Sequence, residues 1–490
     1  MLWQTISRAS SDLGRPAIIS DAVTLSYGEL IANADRLAGA LGEAGIGPGH
    51  VVLAYLDNEP AFLVALLASV RLGAAFAPLD IGSTDAEAGS ILATVRSDLL
   101  VCDPAALPRC AAWARNLVAV TPRGDIVECR ICTPPAPSVD PGIGCIEFSS
   151  GTTAASKGIL LGHEAFFHRA YDLAGSLGLG PDDRTLCTLP LSHAHGSECL
   201  ALPTLLTGGT LFLKSPRFAF PLYILEELDR LRITFFSSLP QFYDLAVKLG
   251  LDRSPDLHAL RLPFCGSAAL ARATAEAFYA KYGVHIRQGY GLAELSVICT
   301  NMHDGGKIVY DSVGKPIRGI TWRLDGEGSE GELLVRSKAM FFGYLNDEVT
   351  THDKLRDGWL HTGDIVSVDE DGLFRIIGRK EDFIKVNGLK VYASEVEAAI
   401  IALDWVAECA VLGEKDALGN ESLVAHLVPR DESRSPKAVH EELTRHLRAV
   451  LSLHKIPKRC ILWRELPKSP LGKILKSKIR ASASDRSPTT

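Results

Sequence analysis

Phe148-Ser-Ser-Gly-Thr-Thr-Ala-Ala-Ser-Lys-Gly158 crowds hydroxyls, glycines and one lysine into a single segment. It directly follows the apolar run Cys145–Phe148, which reads as a strand. A loop of this composition offers backbone N–H groups, hydroxyl donors and a point charge to a polyphosphate. It is not a Walker A loop, which ends in Gly-Lys-Ser/Thr, because Ser156 precedes Lys157 and Gly158 follows it. A plain polar loop has the same composition, so the flanking sequence has to decide between the two.

Upstream, helix and strand alternate. Ser26 and Glu29 form a capping box, and Leu30, Ala34, Leu37 and Leu41 follow at helical spacing. Gly45, Gly47, Pro48 and Gly49 stop that helix. Val51–Leu56 reads as a buried strand and Glu59–Leu72 as a second helix. The alternation predicts an α/β fold layered on parallel strands. The Pro- and Gly-rich stretch Cys132–Gly144 reads as a loop feeding the strand before Ser149. Beyond Tyr310 short strands alternate with turns at Gly326–Gly328, Asp357-Gly358 and Asp369–Gly372. After Gly378 a basic stretch leads into a new small α/β pattern. Val406–Leu412 and Ser422–Pro429 read as strands, and Pro436–Leu451 as a helix capped by Ser435. The main boundary is expected near Arg379–Asp382, dividing the chain into residues 1–378 and 379–490.

The chain has 490 residues, enough for two to four structural units at about 100–200 residues each. Its 47% apolar and 22% charged residues exclude a disordered, collagenous or coiled-coil protein. A net charge of −7 gives no support for a nucleic-acid binder and suits a cytoplasmic enzyme acting on small molecules. Eleven scattered cysteines are expected to be reduced and mostly buried. Cys129 and Cys132 form a single C-x-x-C without the second pair a zinc site needs. No secretory signal is read at the start and no lipidation signal at the end. The most apolar stretch, Ala61–Pro78, is broken by Arg71 and Gly73, so it reads as a buried helix and not a membrane span.

Four more stretches carry chemistry. Gln288-Gly-Tyr-Gly-Leu-Ala-Glu294 has glycines for close backbone approach, a tyrosine able to stack on a base, and a glutamate able to hold Mg²⁺. It also suits a plain strand and turn. Asp357-Gly-Trp-Leu-His-Thr-Gly-Asp364 places a carboxylate after a turn glycine, where it can accept from a sugar diol. Gly378-Arg-Lys-Glu-Asp-Phe-Ile-Lys-Val-Asn-Gly388 is the fourth stretch. In the last, Pro467-Lys-Ser-Pro-Leu-Gly-Lys473, a lysine follows a Pro/Gly turn inside a basic tail that also reads as a solvated helix.

In order and separation these stretches resemble the adenylate-forming superfamily of acyl-CoA synthetases, peptide-synthetase adenylation domains and luciferases. The resemblance runs from Tyr27-Gly-Glu-Leu30 through Gly73-Ala-Ala-Phe-Ala-Pro-Leu-Asp80 to Lys473. It implies an α/β fold: a large multi-subdomain N-terminal domain of layered parallel sheets and helices that binds ATP and a carboxylic acid. A small mobile C-terminal α/β domain rotates between making an acyl-adenylate and passing the acyl group to a thiol.

By that resemblance, Ser149, Ser150, Gly151, Thr152, Thr153 and Lys157 form the phosphate loop, with Lys157 also in a catalytic role. Gly266, Ser267, Gly289, Tyr290, Gly291 and Ala293 border the nucleotide, with Tyr290 against adenine. Glu294 holds Mg²⁺, Asp364 the ribose, and Arg379 ribose and phosphate. Glu381 is the hinge. Lys385 and Gly388 belong to the cofactor-binding set, Gly388 lining the pantetheine tunnel. Lys473 bridges the substrate carboxylate and the α-phosphate, stabilising charge as it builds at phosphorus. Ala154, Ser156 and Ala293 replace the family's usual glycine, proline and threonine. Ala293 removes a hydrogen bond worth about 1–3 kcal/mol.

No acid stands in Leu189-Pro-Leu-Ser-His-Ala-His-Gly196, where amino-acid-activating members carry an aspartate for the α-ammonium. An unpaired buried ammonium is costly, so α-amino acids are disfavoured. His193 aligns beside the acyl carboxylate and counts among the catalytic residues. His193 and His195 read as packed or hydrogen-bonded pocket residues, ahead of a metal site completed by Glu198. Pocket walls are expected at His193, Ser237, Pro240, Cys265, Gly266, Ser267, Gly289 and Val297. Gly289 replaces the tryptophan that closes small-acid pockets, so the acid is expected to be aryl, arylalkenyl or medium-chain. The acceptor is coenzyme A, with the phosphopantetheine of a separate carrier protein as the alternative; a monomer or homodimer is expected. A non-catalytic acyl or nucleotide binder is the competing class, motivated by the three replacements and opposed by Lys157, Glu294, Asp364, Arg379 and Lys473.

Overall fold

The computed structural model of the chain describes every residue except 98, 134, 149–156, 251–253, 303–307, 381–382, 387–388, 416–420, 432–434, 469–473 and 485–490. Ser149 to Thr153, Ala154, Ser156, Glu381, Gly388 and Lys473 therefore lie outside the described residues.

The alternation upstream of Phe148 builds an eight-stranded sheet. Ala75–Leu79, Val51–Tyr55, Leu99–Cys102 and Asn116–Val120 run parallel as neighbours within it. Ile143–Phe148, two residues longer than its apolar run suggested, joins parallel to Ala75–Leu79. Gly158–Gly162 returns antiparallel, pairing Phe148 with Gly158. A nine-stranded sheet holds Thr210–Leu213, Arg184–Cys187, Phe235–Ser238, Leu262–Cys265 and Arg287–Leu292 in parallel, and Ser296–Thr300 folds back antiparallel. The α/β class expected from the sequence is the class observed.

The predicted capping box forms: Ser26 and Glu29 close the first turn of the helix Tyr27–Glu43. The apolar helix Pro60–Leu72 has ten buried residues among thirteen. A helix apolar all round belongs in the interior. Its Phe62 and Leu66 share one hydrophobic cluster with Val52 and Phe76 of one large sheet and Leu211 and Phe235 of the other. Among the described residues no helix is long and apolar enough to cross a membrane.

A five-stranded sheet follows, with Thr321–Asp325, Glu330–Arg336 and Trp359–Val368 antiparallel. Asp357 and Gly358 both have positive φ and join Arg356 to its partner Trp359, as a tight two-residue hairpin turn requires. One local expectation is corrected. Gly363 is not a turn glycine but lies inside the ten-residue strand Trp359–Val368, with φ 74° where the register against Glu330–Arg336 shifts. The two extra residues of this bulge re-aim the neighbouring side chain, Asp364.

Past Arg379 the chain forms a hairpin, Phe383–Val386 with Leu389–Tyr392. A three-stranded sheet of Val406–Lys415, Glu421–Pro429 and Arg459–Leu462 follows. The helices Ala393–Ile401 and Pro436–Val450 pack on it around a hydrophobic cluster of their own, and Ser435 caps the second. All eleven cysteines are free, and Cys129 and Cys132 are exposed.

Candidate active site

The polyphosphate-type loop connects two antiparallel strands whose last paired residues are Phe148 and Gly158. Its final residue, Lys157, donates from Nζ to Asp347 Oδ2 (3.1 Å) and Thr350 Oγ1 (3.3 Å). The same ammonium lies 5.3 Å from the centre of the Tyr344 ring. Tyr344 in turn donates its hydroxyl to Glu294 Oε1. Lys157 and Glu294, 137 positions apart, thus meet on one aromatic side chain.

Glu294 stands at the tip between Arg287–Leu292 and Ser296–Thr300. Gly291 is required there, because a Cβ would collide with the Ser296 carbonyl across the hairpin. The tip is pinned from outside: the Phe341 N–H donates to the Glu294 carbonyl (2.7 Å), and Arg169 Nη2 donates to the Ala293 carbonyl (3.0 Å). Arg169 is wholly buried between Glu198 (3.2 Å) and Glu147 (3.5 Å). Glu198 is therefore an ion-pair partner in the core and not a metal ligand with the histidines. Burial first, then the neighbouring Glu198, pushes the Glu147 carboxyl well up.

Tyr290, Asp364 and Arg379 converge. Asp364 pairs in register with Arg379 across the strands, and Arg379 Nε lies 2.7 Å from Asp364 Oδ1. Tyr290 donates its hydroxyl to Asp364 Oδ2. Burial raises the Asp364 carboxyl above its ordinary range against the pull of Arg379, and burial with the Asp364 charge raises the Tyr290 phenol. A carboxylate accepts about four hydrogen bonds, so two sites remain on Asp364 after these contacts.

Of the expected acyl wall, Ser237 and Cys265 stand at the C-terminal ends of parallel strands, where α/β sheets place their ligands, while Val297 lies in the antiparallel Ser296–Thr300. Asp80 directly follows Ala75–Leu79 and lies 3.4 Å from His193 Nε2. It also accepts from Ser192 Oγ (3.0 Å) and the Gly82 N–H (2.7 Å), and with His193 first these hold its carboxyl near pKa 2. His195 lies between Ser237 and Ser267, the hydrogen-bonded role expected of it. Pro240 opens the helix Pro240–Lys248, while Cys265 and Val297 are buried. Gly289 leaves no empty space, because a Cβ on it would meet the ring of Phe264. Lys385 is exposed on the C-terminal hairpin, its backbone N–H donating to Glu421 Oε2 (3.0 Å).

Motif reading missed Arg169, Glu147, Asp347, Tyr344 and Phe264. Each acts through partners far away in sequence, and no local spacing marks them. Asp80 alone ended a stretch the sequence had singled out.

No group of three or more His, Cys, Asp or Glu able to hold a metal occurs among the described residues. A cation here would rest on the Glu294 carboxylate with phosphate oxygens and waters, the ordinary way Mg²⁺ is held beside a nucleotide. The donor set fits that ion.

The sequence model described as AMP-binding enzyme matches residues 7–345, and that described as AMP-binding enzyme C-terminal domain matches residues 395–473. The chain belongs to the AMP-binding enzyme family. Among similar AMP-binding enzymes, a feruloyl-CoA synthase of an Amycolatopsis species is 32% identical over 97% of both chains. An indoleacetate–CoA ligase of Aromatoleum aromaticum is 30% identical over 96% of both. The crystal structure of ATP-bound MatB from Rhodopseudomonas palustris superposes with a TM-score of 0.85 at 28% identity, over 99% of each chain.

Proposed function

We propose that this AMP-binding enzyme is an acid–thiol ligase that activates an aryl, arylalkenyl or medium-chain carboxylic acid with ATP and passes it to coenzyme A. The observation that carries the reading is the convergence of Tyr290, Asp364 and Arg379, which join three separate motifs through the buried Asp364 carboxylate. The relatives named for feruloyl-CoA and indoleacetate support an aromatic acid and CoA.

In the first half-reaction a substrate carboxylate oxygen attacks the α-phosphorus of ATP. The new O–P bond forms as the α–β phosphoanhydride breaks, and pyrophosphate leaves. In the second, the CoA sulfur attacks the acyl carbon. The C–S bond forms, the C–O bond to AMP breaks, and the thiol proton passes to solvent. Tyr290 packs on the adenine, Asp364 and Arg379 hold the ribose, and Lys157 with residues 149–156 binds the outer phosphates. Glu294 holds Mg²⁺, which neutralises phosphate charge when bound. His193, oriented by Asp80, sits beside the carboxylate, and Lys473 bridges that carboxylate and the α-phosphate. We divide the chain into residues 1–378, which carry Lys157, His193, Tyr290, Glu294 and Asp364, and a mobile 379–490 unit that brings Arg379, Lys385, Gly388 and Lys473. Eleven free cysteines support a reducing, cytoplasmic setting.

The test is mass spectrometry on the purified protein with MgATP, CoA and a pool of aryl and C4–C12 acids. A CoA thioester with AMP is the expected product. Acyl-AMP without thioester assigns the acceptor to a carrier protein. ATP binding with no product from any acid overturns the ligase reading, and so does a Lys473→Ala variant that still releases pyrophosphate at the wild-type rate.

A further inference from the structure

Asp364 and Arg379 form the last paired step of the ladder between Trp359–Val368 and Phe374–Arg379. The residue before Asp364 is Gly363, in left-handed backbone with φ 74° at the bulge. The residue after Arg379 is Lys380. A bulge on one side and a strand end on the other hold such a pair poorly. Both flanking residues are instead tied to one buried side chain, Glu332. It stands in Glu330–Arg336, across Trp359–Val368 from Phe374–Arg379. Glu332 Oε1 accepts from the Gly363 N–H (3.1 Å), and Oε2 accepts from Lys380 Nζ (2.5 Å). The Lys380 N–H donates to the Gly363 carbonyl (2.7 Å) and closes the clasp.

The charge of the clasp is settled by its own contacts. Burial pushes the Glu332 carboxyl up, but Lys380, the Gly363 N–H and His361 (3.7 Å) together outweigh it. The group lies below its ordinary range and is ionised at pH 7. A buried carboxylate held by a backbone donor and an ammonium is a strong and directional anchor. It links its own strand, the strand carrying Asp364 and the end of the strand carrying Arg379. Among the described residues no hydrogen bond or ion pair joins Glu332 to Tyr290, Asp364 or Arg379. Its influence on those groups therefore passes through Gly363 and Lys380.

We infer that Glu332 is a positioning residue for the nucleotide, setting the placement of Asp364 and Arg379 through Gly363 and Lys380; this rests on the ribose contact proposed above. The Asp364–Arg379 ion pair fixes the two groups relative to each other. It does not fix them relative to the rest of the sheet, which only the backbone anchors on either side can do. A site that hydrogen-bonds a hydroxyl rejects the analogue lacking it only while its partners stay in place. A displacement of about 1 Å can cost up to about 100-fold in rate. Opening the clasp should therefore weaken the use of ATP and also the discrimination at the ribose.

The experiment measures pyrophosphate release with the magnesium salts of ATP, 2′-deoxy-ATP and 3′-deoxy-ATP, on an acid the wild-type protein activates. Wild type should prefer ATP to at least one deoxy analogue by about 10-fold or more in kcat/KM. Glu332→Gln keeps an acceptor for the Gly363 N–H and removes the charge that holds Lys380. It should raise the KM for ATP by about 10-fold and cut the preference for the hydroxyl by at least about 3-fold. Lys380→Met, at a half-exposed position, should do the same without disturbing the core. The double variant should be no worse than the worse single variant, because both break one link. Each preference is a ratio taken on one preparation, so misfolded protein cancels from it. A preference unchanged in both single variants, or losses that multiply in the double variant, overturns the inference while the ligase function stands. A wild type that distinguishes ATP from neither analogue overturns the ribose contact, and the inference with it. No pyrophosphate from any acid overturns the ligase function as well.

Discussion

Phe264 and Gly289 are adjacent in space, on neighbouring strands, and explain each other. Gly289 alone suggested an open acyl pocket, but the ring of Phe264 occupies the space a side chain at 289 would take. In the acyl cleft of the proposed function, the aromatic ring and not the glycine sets the extent on that side. Phe264→Ala should widen it, favouring bulkier ring systems in kcat/KM, at about 3–5 kcal/mol of stability. Gly289→Ala should press on the same ring and cost about 1–3 kcal/mol by overpacking, with activity on the larger acids falling first. Thermal unfolding and a series of acids of increasing ring size check both. Tyr290, Asp364 and Arg379, each singled out within a separate motif, are brought into contact by the fold. Phe264 was not singled out, because one more apolar residue in a buried strand carries no mark of what it faces.

At the scale of elements, caps and turns were read directly, since Ser26 with Glu29, Ser435, and Asp357-Gly358 act on their immediate neighbours. Asp347 does two things. It caps the helix Glu348–Lys354 by accepting from the Thr350 N–H, and it holds Lys157. Asp347→Asn keeps the cap and weakens the hold on Lys157, so it should shift the KM for ATP with little change in Tm. Asp347→Ala should lower Tm as well. Steady-state kinetics with a melting curve separates the two effects. The strand Glu421–Pro429 buries His426, whose Nδ1 accepts from Trp463 Nε1–H (3.0 Å). Burial lowers the His426 imidazole from the ordinary 6.5 to about 4. Below 6.5 the unfolded chain takes up a proton that the folded chain refuses. Its contribution is therefore fully present above about pH 6.5 and lost progressively toward pH 4, by up to roughly 3 kcal/mol. Urea midpoints measured from pH 7.5 to 4.5 should show that fall. His426→Gln, which keeps an acceptor for the indole without a titrating ring, should make it shallower, leaving the share of His195, which burial also lowers to about 4.

Across the whole molecule, Arg169 is the junction. From one buried side chain it reaches Glu147 in the strand Ile143–Phe148, Glu198 beyond the histidine segment, and the carbonyls of Ala293 and Ala339. Arg169→Met leaves two carboxylates in the core without their cation and should cost about 3–5 kcal/mol in equilibrium unfolding. Replacing Glu147 and Glu198 with Gln in that variant should recover part of the loss, because neutral amides do not need the cation. By itself the sequence determined the α/β class, the family, the order of its elements and the capped helix ends. All of these depend on local spacing or on the order of motifs along the chain. Only the tertiary structure decided that Lys157 and Glu294 share Tyr344, that Glu198 pairs with Arg169, that Phe264 closes the space beside Gly289, and that His195 joins Ser237 to Ser267. Those contacts join residues from 25 to about 190 positions apart, and folding alone brings them within hydrogen-bonding and van der Waals distance.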